Sequence, residues 1–153
     1  MRLWITPITN RTQNDINRVI YLNQKVQSNT ATEEELTEWK NDLPGAFNLS
    51  DQERIINNMN IINDVLETNL TIPESTNFIT KTWWTQILNC VQAERDAYLT
   101  YTTTAKTPST MNTFQNINDI ESILADIYSI LNAQFFRYCG ESFYCGDETG
   151  LLL

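Results

Sequence analysis

Histidine is absent from the chain. That removes His-based triads, His metal ligands and the usual physiological-pH switch in one step. Glycine and proline number only 4 each, which excludes collagen-like, proline-rich and glycine-rich linker classes. Cysteine occurs three times, at Cys90, Cys139 and Cys145. An odd number is a poor disulfide framework and suits a reducing compartment. Basic residues are scarce, 10 against 19 acids, for a net charge of −9. This balance argues against a nucleic-acid partner, which needs clustered Lys and Arg, and against docking on an anionic membrane. No stretch approaches the roughly 18 apolar residues of a spanning helix, so no membrane insertion is expected. Met1 to Pro7 lacks the long apolar segment of a secretory signal. Phosphate loops, dinucleotide fingerprints and Gly-x-Ser-x-Gly elbows are also missing.

What remains is enough for a core. The chain has 153 residues, 41% hydrophobic and 10% aromatic, which argues against wholesale disorder. Thr and Asn together make up roughly a quarter of it, about twice their ordinary share. These residues suit caps, turns and wet contacts. Charge is uneven. Residues 1–30 carry Arg2, Arg11, Arg18 and Lys25 against Asp15, whereas residues 31–75 are strongly acidic. Most of these charges read as solvated helix faces.

Helix signals are frequent. Thr12 with Asp15 is a capping-box-like start, followed by Ile16, Val19, Ile20 and Val26 on one face. Thr32 with Glu35 opens a short helix closed by Leu43-Pro44-Gly45. Ser50 with Glu53 reads as the cap of a long helix bearing Ile55, Ile56, Met59, Ile62, Val65 and Leu66. Residues 70–82 have no helical period and read as a linker. A fourth helix follows from Trp83. A last long one is capped at Asn112 or Thr113, carries Ile117, Ile120, Ile123, Leu124, Ile127, Ile130 and Leu131, and ends before Gly140.

The expected fold is therefore mostly α: an extended bundle of four to five helices, two of them long, with a non-helical C-terminal arm. The expected division is an N-terminal helical unit over 1–70, a linker over 71–82, a C-terminal helical unit over 83–140 and an arm over 141–153. The long helices should pack together, with Ile55, Met59, Ile62, Ile120, Leu124 and Ile127 in mutual contact.

The search for chemistry returns little. Acids such as Asp64 with Glu67, or Asp119 with Glu121 and Asp126, are expected on amphipathic surfaces. Cys139 and Cys145 recur in a Tyr-Cys-Gly-acid unit and offer too few ligands for zinc; free thiols are expected, and Cys90 reads as core. No catalytic, metal or cofactor site is expected. Aromatic and apolar residues point instead to assembly contacts. Adjacent Trp83-Trp84 and Phe135-Phe136 rarely both face one core on a helix, where successive residues lie about 100° apart. Both chain ends, residues 1–8 and 135–153, are apolar, and neither has a helical period. The expected interface residues are Leu3, Trp4, Ile5, Trp83, Phe136, Tyr138, Phe143, Tyr144, Leu151, Leu152 and Leu153.

Several short motifs carry a resemblance. They are Trp4-Ile5-Thr6-Pro7-Ile8-Thr9-Asn10-Arg11-Thr12, then Asp15-Ile16-x-Arg18-Val19, the stretch Thr32 to Trp39, Gly45-Ala46-Phe47-Asn48, and Asp51-x-x-Arg54-Ile55-x-Asn57-Asn58. Later come Trp83-Trp84, Pro108-x-x-Met111-Asn112, Asn118-Asp119-Ile120-Glu121-x-Ile123-Leu124, and Gly140-Glu141 to Gly146-Asp147. Together they resemble small helical structural proteins encoded in tail (baseplate) modules of phages and prophages of Gram-positive gut bacteria. The resemblance implies a non-enzymatic virion component. Its partners would be other tail or baseplate proteins and copies of itself. A different class of reading is a small helical binding module that sequesters another protein in a one-to-one complex.

Overall fold

A computed structural model of the chain describes residues 2–110 and 113–140, with side chains as far as Ala133. Five helices follow in order: α1 (Gln13–Gln27), α2 (Glu33–Lys40), α3 (Leu49–Leu66), α4 (Lys81–Ala97) and α5 (Phe114–Gly140). No strand occurs among the described residues. The protein is a mostly α helical bundle. Residues 141–153, the expected arm, lie outside the described residues.

Side chains set the helix starts. Thr12 and Asp15 close a reciprocal capping box on α1, and Thr32 and Glu35 do the same on α2. Thr113 and Asn116 exchange the same pair of bonds ahead of α5. The cap of α3 is Asn48 rather than Ser50: the Asn48 N–H donates to the Asp51 carboxylate at 2.9 Å, while the Ser50 hydroxyl donates to Asp42. The acceptor at the third helical position decided the start. Thr80 caps α4, which starts at Lys81, two residues before the expected beginning at Trp83. At the other end α5 continues through Gly140 instead of stopping short of it. Residues 135–140, expected to lack a helical period, are thus helical, and Gly140 is accommodated in the helix at a cost of only about 1 kcal/mol.

Helices α3, α4 and α5 pack on one another. Their common core takes Ile55, Met59 and Ile62 from α3, Ile87, Cys90 and Val91 from α4, and Ile120, Ile123, Leu124 and Ile127 from α5. All six expected contact residues are in it. The cluster draws on residues from both sides of the 71–82 segment. That segment is non-helical up to Thr80 and is pinned down. Gln52, buried on α3, receives the Thr76 N–H and donates to the Thr76 carbonyl, at 3.0 and 3.1 Å. The Trp83 indole N–H donates to the Glu74 carbonyl at 2.8 Å.

Helices α1 and α2 form a hairpin packed mainly on itself. Arg18 pairs with Glu38, the Tyr21 hydroxyl donates to Glu35, and the Trp39 indole donates to Asn23. Its buried residue is Leu22, whereas Ile20, expected on the inner face, is about half exposed. The hairpin is short and two-layered, so only a narrow strip of α1 finds cover.

Gly45 joins this hairpin to the rest. A β-carbon there would lie 2.2 Å from the Asp15 carbonyl oxygen and 2.7 Å from the Ile16 nitrogen. The obstacle is backbone, which cannot step aside as a flexible side chain would. Gly45→Ala is therefore expected to destabilise by about 2 kcal/mol, the usual range for overpacking. Urea denaturation of the two proteins checks this; equal midpoints would mean that the loop shifts freely.

Candidate functional site: a buried charge cluster and an aromatic cleft

Residues 2–11 lie as an extended strap across α3 and α5. The Ile5 N–H donates to Asn58 Oδ1 at 3.0 Å, and Asn58 Nδ2 donates back to the Ile5 carbonyl at 2.7 Å. Asn57 Nδ2 donates to the Leu3 carbonyl, the Ile8 N–H donates to Glu121 Oε2, and Asn118 Nδ2 donates to the Arg11 carbonyl. Side-chain amides thus substitute for the neighbouring strand that an extended peptide otherwise needs. Trp4 adds a parallel stack on Tyr128, with ring centroids 3.8 Å apart and planes within 2°.

The strap ends on a buried charge cluster. Arg11 Nη2 donates to Asp51 Oδ1 at 2.7 Å and to Glu121 Oε1 at 2.9 Å. Arg54 donates to Glu121 through Nε at 2.9 Å and Nη2 at 2.8 Å, and also to Asp51. All four side chains are at least nine-tenths buried. Two cations meet two anions, so the cluster is neutral. Desolvation acts to lower the Arg54 pKa, but hydrogen bonds and charge from Glu121 and Asp51 outweigh it and hold the group above its usual range. The carboxylates are well supplied with donors, while the buried Arg11 Nε–H has no partner among the described residues. Its acids are engaged by guanidinium groups on two sides, which leaves them poorly placed for proton transfer.

A different acid is isolated. Glu94 on α4 is 0% exposed, and neither carboxylate oxygen has a hydrogen-bond partner among the described residues. Burial pushes its pKa up to about 9. Cys90, one turn earlier, is a free thiol whose pKa is raised by burial and then by the Glu94 charge. Arg95, beside it in sequence, spends its Nε–H on the Ala105 carbonyl.

An open cleft of about 560 Å³ lies between the first turns of α1 and α5. Phe47, Ile79, Trp84, Phe114 and Ile117 give it an apolar wall, and Arg11 and Gln13 reach its rim. Phe47 and Trp84 meet at a tilt of 48° with ring centroids 4.7 Å apart, and Trp83 and Trp84 meet edge to face at 4.8 Å. The volume falls in the range of small-ligand pockets, roughly 300–1,000 Å³, though this one is wide open.

The expected interface residues fare unevenly. Leu3 and Ile5 are exposed, but their backbone is tied to α3. Trp4 is half-buried against Tyr128, so the N-terminal segment closes on its own chain instead of projecting as an apolar arm. Trp83 is 7% exposed and belongs to the core. Both members of the Trp pair reach the α3–α4–α5 core: Trp83 is buried in it, and the half-buried Trp84 packs against it beside Phe47. Phe136 and Tyr138 lie on the α5 backbone with side chains outside the described residues, and Phe143, Tyr144, Leu151, Leu152 and Leu153 lie wholly outside them. So does the pairing state of Cys139 and Cys145.

Glu121 was expected on a surface and is buried. Arg11, Asp51, Arg54 and Glu94 were not singled out as buried at all. A signal existed. Asp51, Ile55, Asn58 and Ile62 follow one helical face, as do Ile87, Val91 and Glu94. Applying the helical period to polar residues as well as apolar ones places Asp51 and Glu94 inside, whereas Arg11 precedes α1 and carries no such signal.

No group of residues among those described has the arrangement of a metal site, and no described helix is long and apolar enough to cross a membrane. No family model, curated protein or solved structure matches the chain.

Proposed function

We propose that this chain is a non-enzymatic structural protein of a phage particle, a tail or baseplate component. It acts through contacts with other tail proteins and with copies of itself, and it resides in the virion. The motifs set out above suggest the setting. The observation that carries the reading is the contrast between inside and outside. Inside, the ionised groups of the strap cluster neutralise one another. Outside, large apolar side chains stand free on a pinned framework: Leu3, Val65, Phe78 and Leu99 are all more than half exposed. Scattered apolar residues are normal on a surface; residues of this size on clamped backbone suit contacts between subunits. A net charge of −9 supports protein partners over nucleic acid.

The test is composition. Particles purified by density gradient from a host strain carrying the gene are expected to contain the protein in fixed stoichiometry with the tail proteins. Its absence from particles, together with a soluble one-to-one complex in the lysate, would overturn the reading in favour of a sequestering module.

A further inference from the structure

Three recesses join into one groove along the outer face of α4. The aromatic cleft shares Ile79 and Trp84 with a second recess of about 460 Å³, and that one shares Thr85, Leu88 and Ser109 with a third of about 230 Å³. On α4 the floor runs through Lys81, Trp84, Thr85, Leu88, Asn89 and Gln92, which is a single helical face. The opposite wall is the stretch 107–110. Trp84 and Leu88 are only half-buried. No acidic residue is among the described residues lining any of the three recesses, although acids outnumber bases 19 to 10 in the chain. Lys81 lies in the groove, and Lys106, next to Thr107, stands at its other end; both are exposed.

The groove points toward the place where the described chain stops. Trp84, near the start of α4, shares the cleft with Phe114 and Ile117 at the start of α5. Past the end of α4, the Tyr101 hydroxyl meets Ser129 Oγ at 3.4 Å, and the Thr104 hydroxyl donates to Asp126 at 2.7 Å. The two helices therefore run in the same direction, and Gly140 lies beyond the Gln92 end of the groove. We infer that residues 141–153 double back from Gly140 and occupy this groove on their own chain, with Leu151 and Leu153 over Leu88 and Trp84.

Length supports this occupant. At a rise of about 1.5 Å per helical residue, Gly140 stands about 24, 30 and 36 Å past the levels of Gln92, Leu88 and Trp84 respectively. A two-residue reversal leaves about eleven residues of the segment, which span at most about 36–40 Å when extended. Leu151 then comes level with Leu88 and Leu153 with Trp84, and the alternation of an extended segment turns both to one side. Asp147 and Glu148 come within side-chain reach of Lys106. Charge supports it too. The segment carries Glu141, Asp147 and Glu148 and no base. On a chain of net charge −9 it is repelled least by a groove that has lysines toward its ends and no acid among its described lining. Docked there, it covers Trp84 and Leu88 in the free chain, so a partner for that face must first displace it. The inference concerns this chain alone and holds whether or not the chain belongs to a virion.

Carbodiimide cross-linking of the full chain at low micromolar concentration decides it, read by peptide mass analysis on an equal mixture of unlabelled and heavy-isotope-labelled protein. The reagent joins a lysine amine to a carboxylate in contact with it. Lys106 is expected to link to Asp147 or Glu148, and both halves of each linked peptide should carry the same isotope label. Thr85→Glu, at an exposed position on the groove floor, sets a carboxylate beneath the leucines and is expected to lower the yield of this link by about tenfold or more. Leu151→Asp combined with Leu153→Asp should do the same from the other side of the contact. Absence of the link in the parent, or a yield indifferent to both variants, would overturn the inference. Linked peptides of mixed label would overturn it as well, in favour of docking on a second copy.

Discussion

Replacement of Glu121 by Leu is expected to cost about 3–5 kcal/mol of folding stability, the usual penalty for breaking a buried pair from one side. Glu121 accepts from Arg11, from two nitrogens of Arg54 and from the Ile8 N–H. Its loss leaves two guanidinium groups against the single carboxylate of Asp51, all out of water. The strap loses its anchor at Ile8 in the same step. Urea denaturation gives the stability difference. A second variant separates charge from volume: adding Arg54→Met to Glu121→Leu removes one unpaired cation and should recover part of the loss, giving a coupling energy of opposite sign to the single effects. Because the cluster is buried, the penalty should change little between low and moderate salt. A cost below about 1 kcal/mol would show that water reaches the cluster and replaces the lost acceptor.

The second large effect is one of pH. Glu94 titrates near 9 in the folded protein, far above its ordinary value of 4.5, because burial disfavours the charged form. The unfolded chain releases this proton at the lower pH, and the folded chain keeps it. Between the two values the folded state therefore binds more protons, and stability falls as pH rises. The contribution is whole below about pH 4.5 and is lost progressively up to about pH 9. At about 1.4 kcal/mol per unit, the loss is about 3 kcal/mol by pH 7. Glu94→Gln should abolish this slope, and Glu94→Met should raise stability at neutral pH by a similar amount, since an unpaired buried polar group is replaced by an apolar one of like length. Asp15, Glu35 and Glu38 have lowered pKa values, set chiefly by hydrogen bonds with Thr12, Thr32 and Arg18 respectively. Their linkage runs the other way and falls in acid, outside the Glu94 window. The raised Cys90 thiol acts above its ordinary value of 9.0, on the alkaline side. Urea midpoints at several pH values from 5 to 8.5, for parent and variants, isolate the group; parallel profiles for parent and Glu94→Gln would refute the assignment.

Both effects come from charged residues that a reading by surface amphipathicity assigns to solvent. A charge on a helix is ordinarily outside, so Arg11, Asp51, Arg54, Glu94 and Glu121 read as solvated faces. The four that stand on helices nevertheless lie on the apolar side, and Arg11 meets them from the strap. Asp51 and Arg54 flank Ile55, and Glu94 continues the stripe of Ile87 and Val91. Burial of such residues depends on whether a partner arrives. Arg11 comes from 110 positions before Glu121 in the sequence, a pairing that no local pattern encodes.

The N-terminal segment shows the same limit. Its apolar content and lack of helical period were legible, and both are consistent with an arm seeking a surface. Which surface was not legible. Asn57, Asn58 and Asn118 look like ordinary polar helix residues until the strap is laid across them and their amides meet its backbone. The aromatic cleft likewise joins Phe47, Trp84 and Phe114 from three separate stretches of chain.

Local patterns along the chain suffice for the helical class, most helix starts and the inner faces of the two long helices. These are local properties: a cap needs residues three positions apart, and an amphipathic stripe needs neighbours within two turns. Which charges are buried, where the N-terminal strap lies and which aromatic rings line the cleft follow only from the packed fold. Those outcomes depend on groups distant in sequence meeting in a low-dielectric interior, where an ion or amide is tolerated only once its partner is in place.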